Sequence, residues 1–452
     1  MPVTYDEAIE WLLSFADFER SGRFRDRPDV APMLSLLERL GNPHLGRATM
    51  HIAGSKGKGS VAAMVEHMIF GAGVCTGLYT SPHLYSYCER IVVDGRYITE
   101  VEFAGLSEQI CRVAQDAKQA FAERHLVTFD LLTALAFLAF RDCPSHASPL
   151  EAQVIEVGLG GRVDSTNVFE TKEVAVITPI SLEHTAILGG TIEQIAREKA
   201  AIITRDCSIV MAPQPYEDSA RVIREFADAK RAPVIDVRRD YKWERLSSDL
   251  RGQEIRIHSK HGAIEARLPL LGLHQIENAA TALACVEALR SRDSVRLLHK
   301  SLGAIADSLK LISWPCRIEV LRERPLVIAD GAHNRNSARR LRETLVDYFA
   351  CGRALFIIGC SADKDIEGVA EELAPLASRV IAVRADHPRA MAPERIAEEF
   401  GRLNIDTEMA QDVATAVERA IATTGESGVI CATGSLFVAA EARAHVLGVK
   451  SV

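Results

Sequence analysis

No C-x-x-C pair occurs in this sequence, and its 10 cysteines form no ladder of spacings. That argues against a zinc site or a disulfide framework. Several cysteines, such as Cys285 in Ala280–Leu289, stand in apolar surroundings, so reduced, buried thiols in a cytoplasm are expected. No run of about 18 uninterrupted apolar residues appears, so no membrane span is expected. A basic segment followed by an apolar run is missing from the start, so no signal peptide is expected. Internal repeats and low-complexity tracts are absent too. Nor is there an excess of positive charge: 53 Lys and Arg face 61 Asp and Glu, a formal charge of −8. That sign argues against nucleic acid or an anionic membrane as partner. A locally basic site still admits an anionic substrate.

What is present is a chain of 452 residues, 48% hydrophobic and 25% charged. Two or three globular domains are expected. The chain is organised around His51-Ile52-Ala53-Gly54-Ser55-Lys56-Gly57-Lys58-Gly59-Ser60, which follows an apolar run and opens into Val61–Val65, a good helix start. Strand, glycine loop and helix form the context that a phosphate loop needs. Glycines let backbone N–H groups converge on one anion, and the new helix adds its positive end. Lys58 supplies a point charge for phosphates, and Ser60 a hydroxyl near magnesium. The spacing departs from G-x-x-x-x-G-K-[ST], and a plain Gly/Ser turn is the competing reading.

Before the loop, Tyr5–Phe18 and Ala31–Leu40 read as helices, divided by a polar break at Ser21–Pro28. After it, Val74–Ser81 reads as a strand, Glu102–Glu123 and Phe129–Phe140 as helices, and Gln153–Val157 as a buried strand. That strand carries Glu156 at its end and runs into Gly158–Asn167. A buried unpaired carboxylate costs several kcal/mol, so Glu156 is paired or metal-bound. The C-terminal edge of an open α/β sheet is where ligands sit, which favours metal or phosphate duty over a structural salt bridge. His184 leaves the next strand, Glu173–Pro179, at the same edge, as a core histidine or a ligand. Lys199 lies in the helix Ile192–Ile203 and by itself reads as a solvated residue. Ile209–Pro213 and Val234–Val237 read as strands, and Tyr241–Leu268 as a small antiparallel sheet. Helices are expected at Ile276–Arg290 and Val295–Asp307. From about Leu309–Pro315 the strand/helix alternation restarts as a second α/β domain of about 140 residues. Its strand ends carry Asp330–Asn334, Ala362–Asp365 and His387–Ala390, more charge than turns need. A site in the cleft between the two domains is the natural reading.

Several motifs together resemble those of folylpolyglutamate synthase/dihydrofolate synthase, a family of the Mur ligase superfamily. They are Gly54–Ser60, Tyr79–Leu84, Glu156–Arg162, Leu188–Thr191 with Glu198-Lys199-Ala200, His274-Gln275-x-x-Asn278, Trp314–Arg317, Asp330–Asn334 and Thr433–Leu436. The resemblance spans roughly residues 30–440. It implies an α/β fold: a phosphate-loop ATP domain (1–311), with a mostly parallel sheet and a small antiparallel one, and a smaller Rossmann-like domain (312–452). It implies ATP-dependent ligation of L-glutamate to a folate, or to dihydropteroate, through an acyl phosphate, in a cytoplasmic monomer. Gly54, Ser55, Lys56, Gly57, Lys58, Gly59 and Ser60 would hold ATP phosphates. Asn278, Arg317 and Asp330 resemble the adenine, phosphate and ribose contacts. Ser81 and Glu156 resemble ligands of one magnesium, with Ser60 nearby, and His184 a ligand of a second. Lys199 matches a lysine that carries a carbamate, an anion able to bind magnesium, and His333 a histidine close to the transferring phosphate. Lys58, Lys199 and His333 are thus the expected catalytic residues. Phe129, Asp130, Val163, Asp164 and Ser165 correspond to the pterin side.

The family's Thr-Asn is Ser55-Lys56 here, its Phe-Glu is Phe129-Asp130, and its Asp-His is Glu183-His184. The family's Leu-Gly-Leu-Glu-Arg stretch is not evident in Arg27–Leu40. These departures bear on dihydropteroate more than on polyglutamylation. Two rivals share the nucleotide machinery: a Mur-type ligase for a non-folate carboxylate, and a nucleotide-binding module without ligase activity. The second would fit loss of Glu156, His184 or Lys199, and all three are present.

Overall fold

The computed structural model describes residues 4–21, 29–116, 126–142, 149–292 and 300–449. Its largest sheet contains β1 (Ala48–Ala53), β2 (Thr76–Tyr79), β3 (Ile91–Val93), β4 (Arg96–Tyr97), β5 (Ala152–Glu156), β6 (Val174–Ile177), β7 (Ser208–Met211) and β8 (Val234–Asp236), in the order 4-3-2-5-1-6-7-8. Pairing is parallel from β2 to β8, and β3 and β4 add an antiparallel edge. β1, β2, β5, β6 and β7 are buried along their whole length. That is why they read as continuous apolar runs, because helices cover both faces of such a sheet. The helices Lys58–Gly71 and Leu273–Arg290 pack on one face, and Thr128–Asp142 lies on the other.

β1 lies between β5 and β6, and the chain leaves it toward both sides, which makes its C-terminal end the switch point of the sheet. The register pairs Ile52 with both Glu156 and Val176. The Gly54–Ser60 loop, Glu156 and the Thr178–His184 segment therefore leave the sheet at one edge.

β9 (Lys242–Asp249), β10 (Gly252–Ser259) and β11 (Gly262–Leu268) form the antiparallel sheet. A third sheet joins β12 (Glu319–Glu323), β13 (Leu326–Ala329), β14 (Ala354–Ile358), β15 (Ala377–Ala382), β16 (Thr407–Met409) and β17 (Val429–Thr433) in the order 12-13-17-14-15-16, parallel except at β12. Apolar clusters cover both of its faces.

Some expected elements shift. The first helix ends at Leu13, and Phe18–Ser21 is a separate turn of helix. The strand expected at Ile318 begins one residue later, because Ile318 and Cys316 both adopt left-handed backbone, at φ 52° and 58°. The helices Glu217–Lys230 and Leu436–Leu447 were not expected at all. Within the helix expected at Val295–Asp307 the described residues are helical over Leu302–Ala306, and a 3₁₀ turn follows at Asp307–Leu311. Residues 295–299, 117–123, 22–28 and Cys143 lie outside the described residues. The other nine cysteines are free thiols, and all but Cys75 are buried. No helix among the described residues is long and apolar enough to cross a membrane.

Candidate active site

The helix Lys58–Gly71 starts without a side-chain cap. Gly57 occupies its N-cap position at φ 85°, a conformation that favours glycine, and a Cβ there would lie 2.6 Å from Asn278 Oδ1. The first N–H groups of the helix thus have no side-chain acceptor, and an anion suits them. Gly59 is constrained from the other side: a Cβ would meet Trp314 Cζ2 at 2.9 Å and Glu156 Oε2 at 3.4 Å. The phosphate loop, Glu156 and the Trp314–Arg317 segment are therefore in direct contact.

Glu156 is 4% exposed, and its Oε2 accepts from the Ser81 amide at 3.1 Å. Burial raises its pKa, while Lys58 and Arg317 favour the carboxylate. Ser60 is buried in the first turn of the helix Lys58–Gly71.

A second group centres on Glu183. Lys199 Nζ donates to Glu183 Oε1 at 3.0 Å and to the Gly54 carbonyl oxygen at 2.9 Å, and Lys56 Nζ lies 3.4 Å from Glu183 Oε2. Burial opposes ionisation of Glu183, but Lys199, Lys56 and Lys58 hold its carboxyl well below the ordinary range. Burial brings Lys199 down to about 8, with Glu183 opposing and Lys58 assisting. His184 caps its short helix in left-handed backbone at φ 47°, and burial with Lys364 keeps its ring neutral, with a pKa near 4. Ser55 Oγ donates to the Ser181 carbonyl oxygen. Ser181 Oγ is buried without a hydrogen-bond partner among the described residues.

The third sheet contributes the opposite wall. Asp330 accepts from the Ile318 amide at 3.0 Å and the Ala332 amide at 2.9 Å, and burial lifts its carboxyl to about 6 against the pull of Arg317. His333 Nδ1 is 2.8 Å from the Gly331 carbonyl oxygen. Only an Nδ1–H satisfies that contact, which leaves the Nε2 lone pair free. Burial, with Lys56 and Lys364, keeps the ring neutral, near 3. Asn278, buried, donates to Gln275 Oε1 at 2.9 Å.

The residues expected on the pterin side divide into two kinds. Phe129 and Val163 are half-buried. Asp130 is fully buried, with Oδ2 accepting from the Val127 amide at 3.0 Å and Oδ1 from Ser165 Oγ at 2.7 Å. Asp164 is buried too, and accepts from the Leu159 amide at 2.9 Å and from Thr166. Asp130, Asp164 and Ser165 thus brace the Gly158–Asn167 loop from within.

Sequence reasoning underrated Glu183, Trp314 and Lys364. Glu183 was visible only as the neighbour of His184. Lys364 was visible in the charged strand end Ala362–Asp365. Trp314 gave no signal of its contact with Gly59, which depends on the second half of the chain folding back. Among the described residues no three His, Cys, Asp or Glu side chains converge as a metal set. The donors at hand are oxygens, with one imidazole, which suits a hard cation that keeps waters and phosphate oxygens in its shell. Five cations, Lys56, Lys58, Lys199, Arg317 and Lys364, and three carboxyls, Glu156, Glu183 and Asp330, meet at this cleft. The surplus is positive, in a chain that is negative as a whole.

Comparison with known proteins fits this geometry. Residues 140–286 match the Mur ligase middle domain, and 316–436 match the Mur ligase glutamate ligase domain. The dihydrofolate synthase/folylpolyglutamate synthase of Mycobacterium tuberculosis is 33% identical, over 96% of this chain and 92% of its own. A probable bifunctional folylpolyglutamate synthase/dihydropteroate synthase of Haloferax volcanii is 34% identical over 97% of this chain, which spans 50% of that longer protein. The crystal structure of Mycobacterium tuberculosis folylpolyglutamate synthase complexed with ADP and AMPPCP superposes with a TM-score of 0.86 at 32% identity, covering 97% of each chain. With an uncapped helix start at Gly57 among clustered basic side chains, and likeness over nearly the full length of both chains, the chain belongs to the folylpolyglutamate synthase/dihydrofolate synthase family of Mur ligases.

Proposed function

We propose that this chain ligates L-glutamate to the carboxylate of a folate at the expense of ATP, with dihydropteroate as a second acceptor, as a cytoplasmic monomer. Residues 1–311 act as the ATP-binding part, and 312–452 as the part that closes over it. The observation that carries this reading is the meeting, at one sheet edge, of the uncapped helix at Gly57, the buried Glu156, and Arg317, Asp330 and His333 from the third sheet.

Phosphoryl transfer requires positioning and neutralisation of charge more than covalent catalysis. The amides of Gly57–Ser60 and the Lys58 ammonium take the phosphates, Arg317 approaches them from the second part, and Asn278 and Asp330 hold the nucleoside. The residues also fit magnesium. Glu156 accepts from the Ser81 amide, Ser60 and Ser81 bring hydroxyls, and Ser181 Oγ is buried without a hydrogen-bond partner among the described residues. When bound, magnesium neutralises developing phosphate charge. His184, neutral, is the nitrogen donor for a second ion. Lys199 as an ammonium already supplies the cation that Glu183 needs. A carbamate on Lys199 reverses that sign, and a cation beside Glu183 then fits. His333, neutral with its Nδ1–H given to the Gly331 carbonyl oxygen, stands as the histidine close to the transferring phosphate. Closure of the two parts excludes water from the acyl phosphate.

The test is ATP- and glutamate-dependent phosphate release, run in parallel on tetrahydrofolate and dihydropteroate. Turnover with tetrahydrofolate alone makes this a dedicated polyglutamate synthase, and turnover with both makes it bifunctional. ATP hydrolysis indifferent to either acceptor, or turnover only with a non-folate carboxylate, defeats the reading.

A further inference from the structure

A buried chain of hydrogen bonds lies behind the Gly158–Asn167 loop, and none of the chemistry above uses it. Lys172 Nζ lies 2.7 Å from His51 Nδ1, and His51 Nε2 lies 2.9 Å from Thr166 Oγ1. Thr166 Oγ1 reaches Asp164 Oδ1, which also accepts the Thr166 amide at 3.0 Å, while Oδ2 accepts the Leu159 amide. His51 and Thr166 are 0% exposed, and Lys172 5%. The direction of this chain is fixed by counting donors. A carboxylate only accepts, so the single Thr166 hydroxyl proton points to Asp164. The oxygen must then accept from His51, which places the ring proton on Nε2. His51 Nδ1 is left as an acceptor, and only an N–H of Lys172 fills it. Lys172 has no carboxylate partner among the described residues, and it lies over the Phe169 ring, 5.4 Å from its centroid. His51 stands on β1, three residues before Gly54. One polarised relay therefore joins the strand that launches the phosphate loop to the loop that borders Glu156 and Phe129.

We propose that Lys172 and His51 are positioning residues that hold Asp164, and through it the Gly158–Asn167 loop, in the shape that receives the pterin side of the acceptor. The identity of that acceptor rests on the folate-ligase reading. The ordering of the loop does not. The test compares His51→Leu, Lys172→Met and His51→Gln in the full chain. Without any substrate, amide exchange in peptides covering 158–167 is expected to rise about tenfold in His51→Leu and Lys172→Met, with the Lys58–Gly71 helix unchanged. In turnover, KM for the folate rises about tenfold while KM for ATP stays within about twofold. His51→Gln, which keeps an N–H toward Thr166, recovers both. Unchanged exchange in 158–167 overturns the proposal. So does a loss of protection throughout the fold with both KM values rising together, which marks a merely structural role. If His51→Leu fails to fold, Lys172→Met carries the same comparison. If the wild type turns over no folate, the ligase reading fails, and exchange in 158–167 alone decides the relay.

Discussion

Lys199 Nζ sits between Glu183 Oε1, at 3.0 Å, and the carbonyl oxygen of Gly54, at 2.9 Å, with 2% of its side chain exposed. A helix residue thereby reaches across to the first glycine of the phosphate loop. Lys199→Ala is expected to lower ligation by at least about 100-fold, the scale of losing one positioned charge in an active site. Lys56 still pairs with Glu183 in that variant, so the fold survives. Circular dichroism together with phosphate release checks this, and full activity with an unchanged magnesium requirement sinks the role of Lys199.

Glu156→Gln preserves shape and removes the charge that faces Lys58 and Arg317. Turnover is expected to fall by about two orders of magnitude or more, with a higher magnesium concentration at half-maximal rate. A titration of magnesium against rate makes the measurement. An unchanged profile returns Glu156 to a structural ion pair.

Gly59→Ala is mild in a helix but not here, because the new methyl meets Trp314 at 2.9 Å. KM for ATP is expected to rise about tenfold, as a displacement near 1 Å does in a positioned site. Trp314→Leu in the same chain should recover part of the loss, since contacting residues couple. Additive effects of the two changes exclude the contact as the cause.

His44 is buried, its Nδ1 has no hydrogen-bond partner among the described residues, and burial with Arg47 depresses its pKa to about 4. His274 is also depressed to about 4, by burial and by Arg340 and Arg317. Below the unfolded value near 6.5 the unfolded chain binds protons that the native chain refuses, so stability falls as pH drops from 6.5 toward 4. Urea unfolding across that window should show the slope. His44→Leu should remove up to about one proton of it, and an unaltered slope rules His44 out as a contributor.

Ala350 ends the helix Arg335–Phe349 in left-handed backbone at φ 48° and is exposed. Ala350→Gly is expected to stabilise by about 0.5–1 kcal/mol, because glycine adopts this conformation without strain. Thermal unfolding reads the change, and a lower midpoint contradicts it.

Local patterns made much of this protein legible. The loop Gly54–Ser60 between an apolar strand and a helix, Glu156 at the end of a buried strand, and the restart of alternation after Leu309 follow from periodicity, glycine chemistry and the cost of burying a carboxylate. The helix Glu217–Lys230 escaped notice because its charges mask a narrow apolar stripe at Ala220, Val222, Ile223 and Ala227.

The sequence by itself determined most of the segments that form strands and helices, and which residue types stand at strand ends, because these depend on neighbours along the chain. Only the tertiary structure decided what those residues face. Lys199 reads as solvated in its helix and proves buried against Glu183. Asp130 corresponds by resemblance to the pterin side, and the fold brings it under Ser165, 35 residues along the chain. His51 reads as a strand residue and proves to be a link between Lys172 and Thr166. Each of these partnerships except Lys199 with Glu183 spans more than 30 residues, and all are set by strand order and register. The sign and burial of charge at the cleft are therefore properties of the fold, which brings together groups that are far apart in the chain.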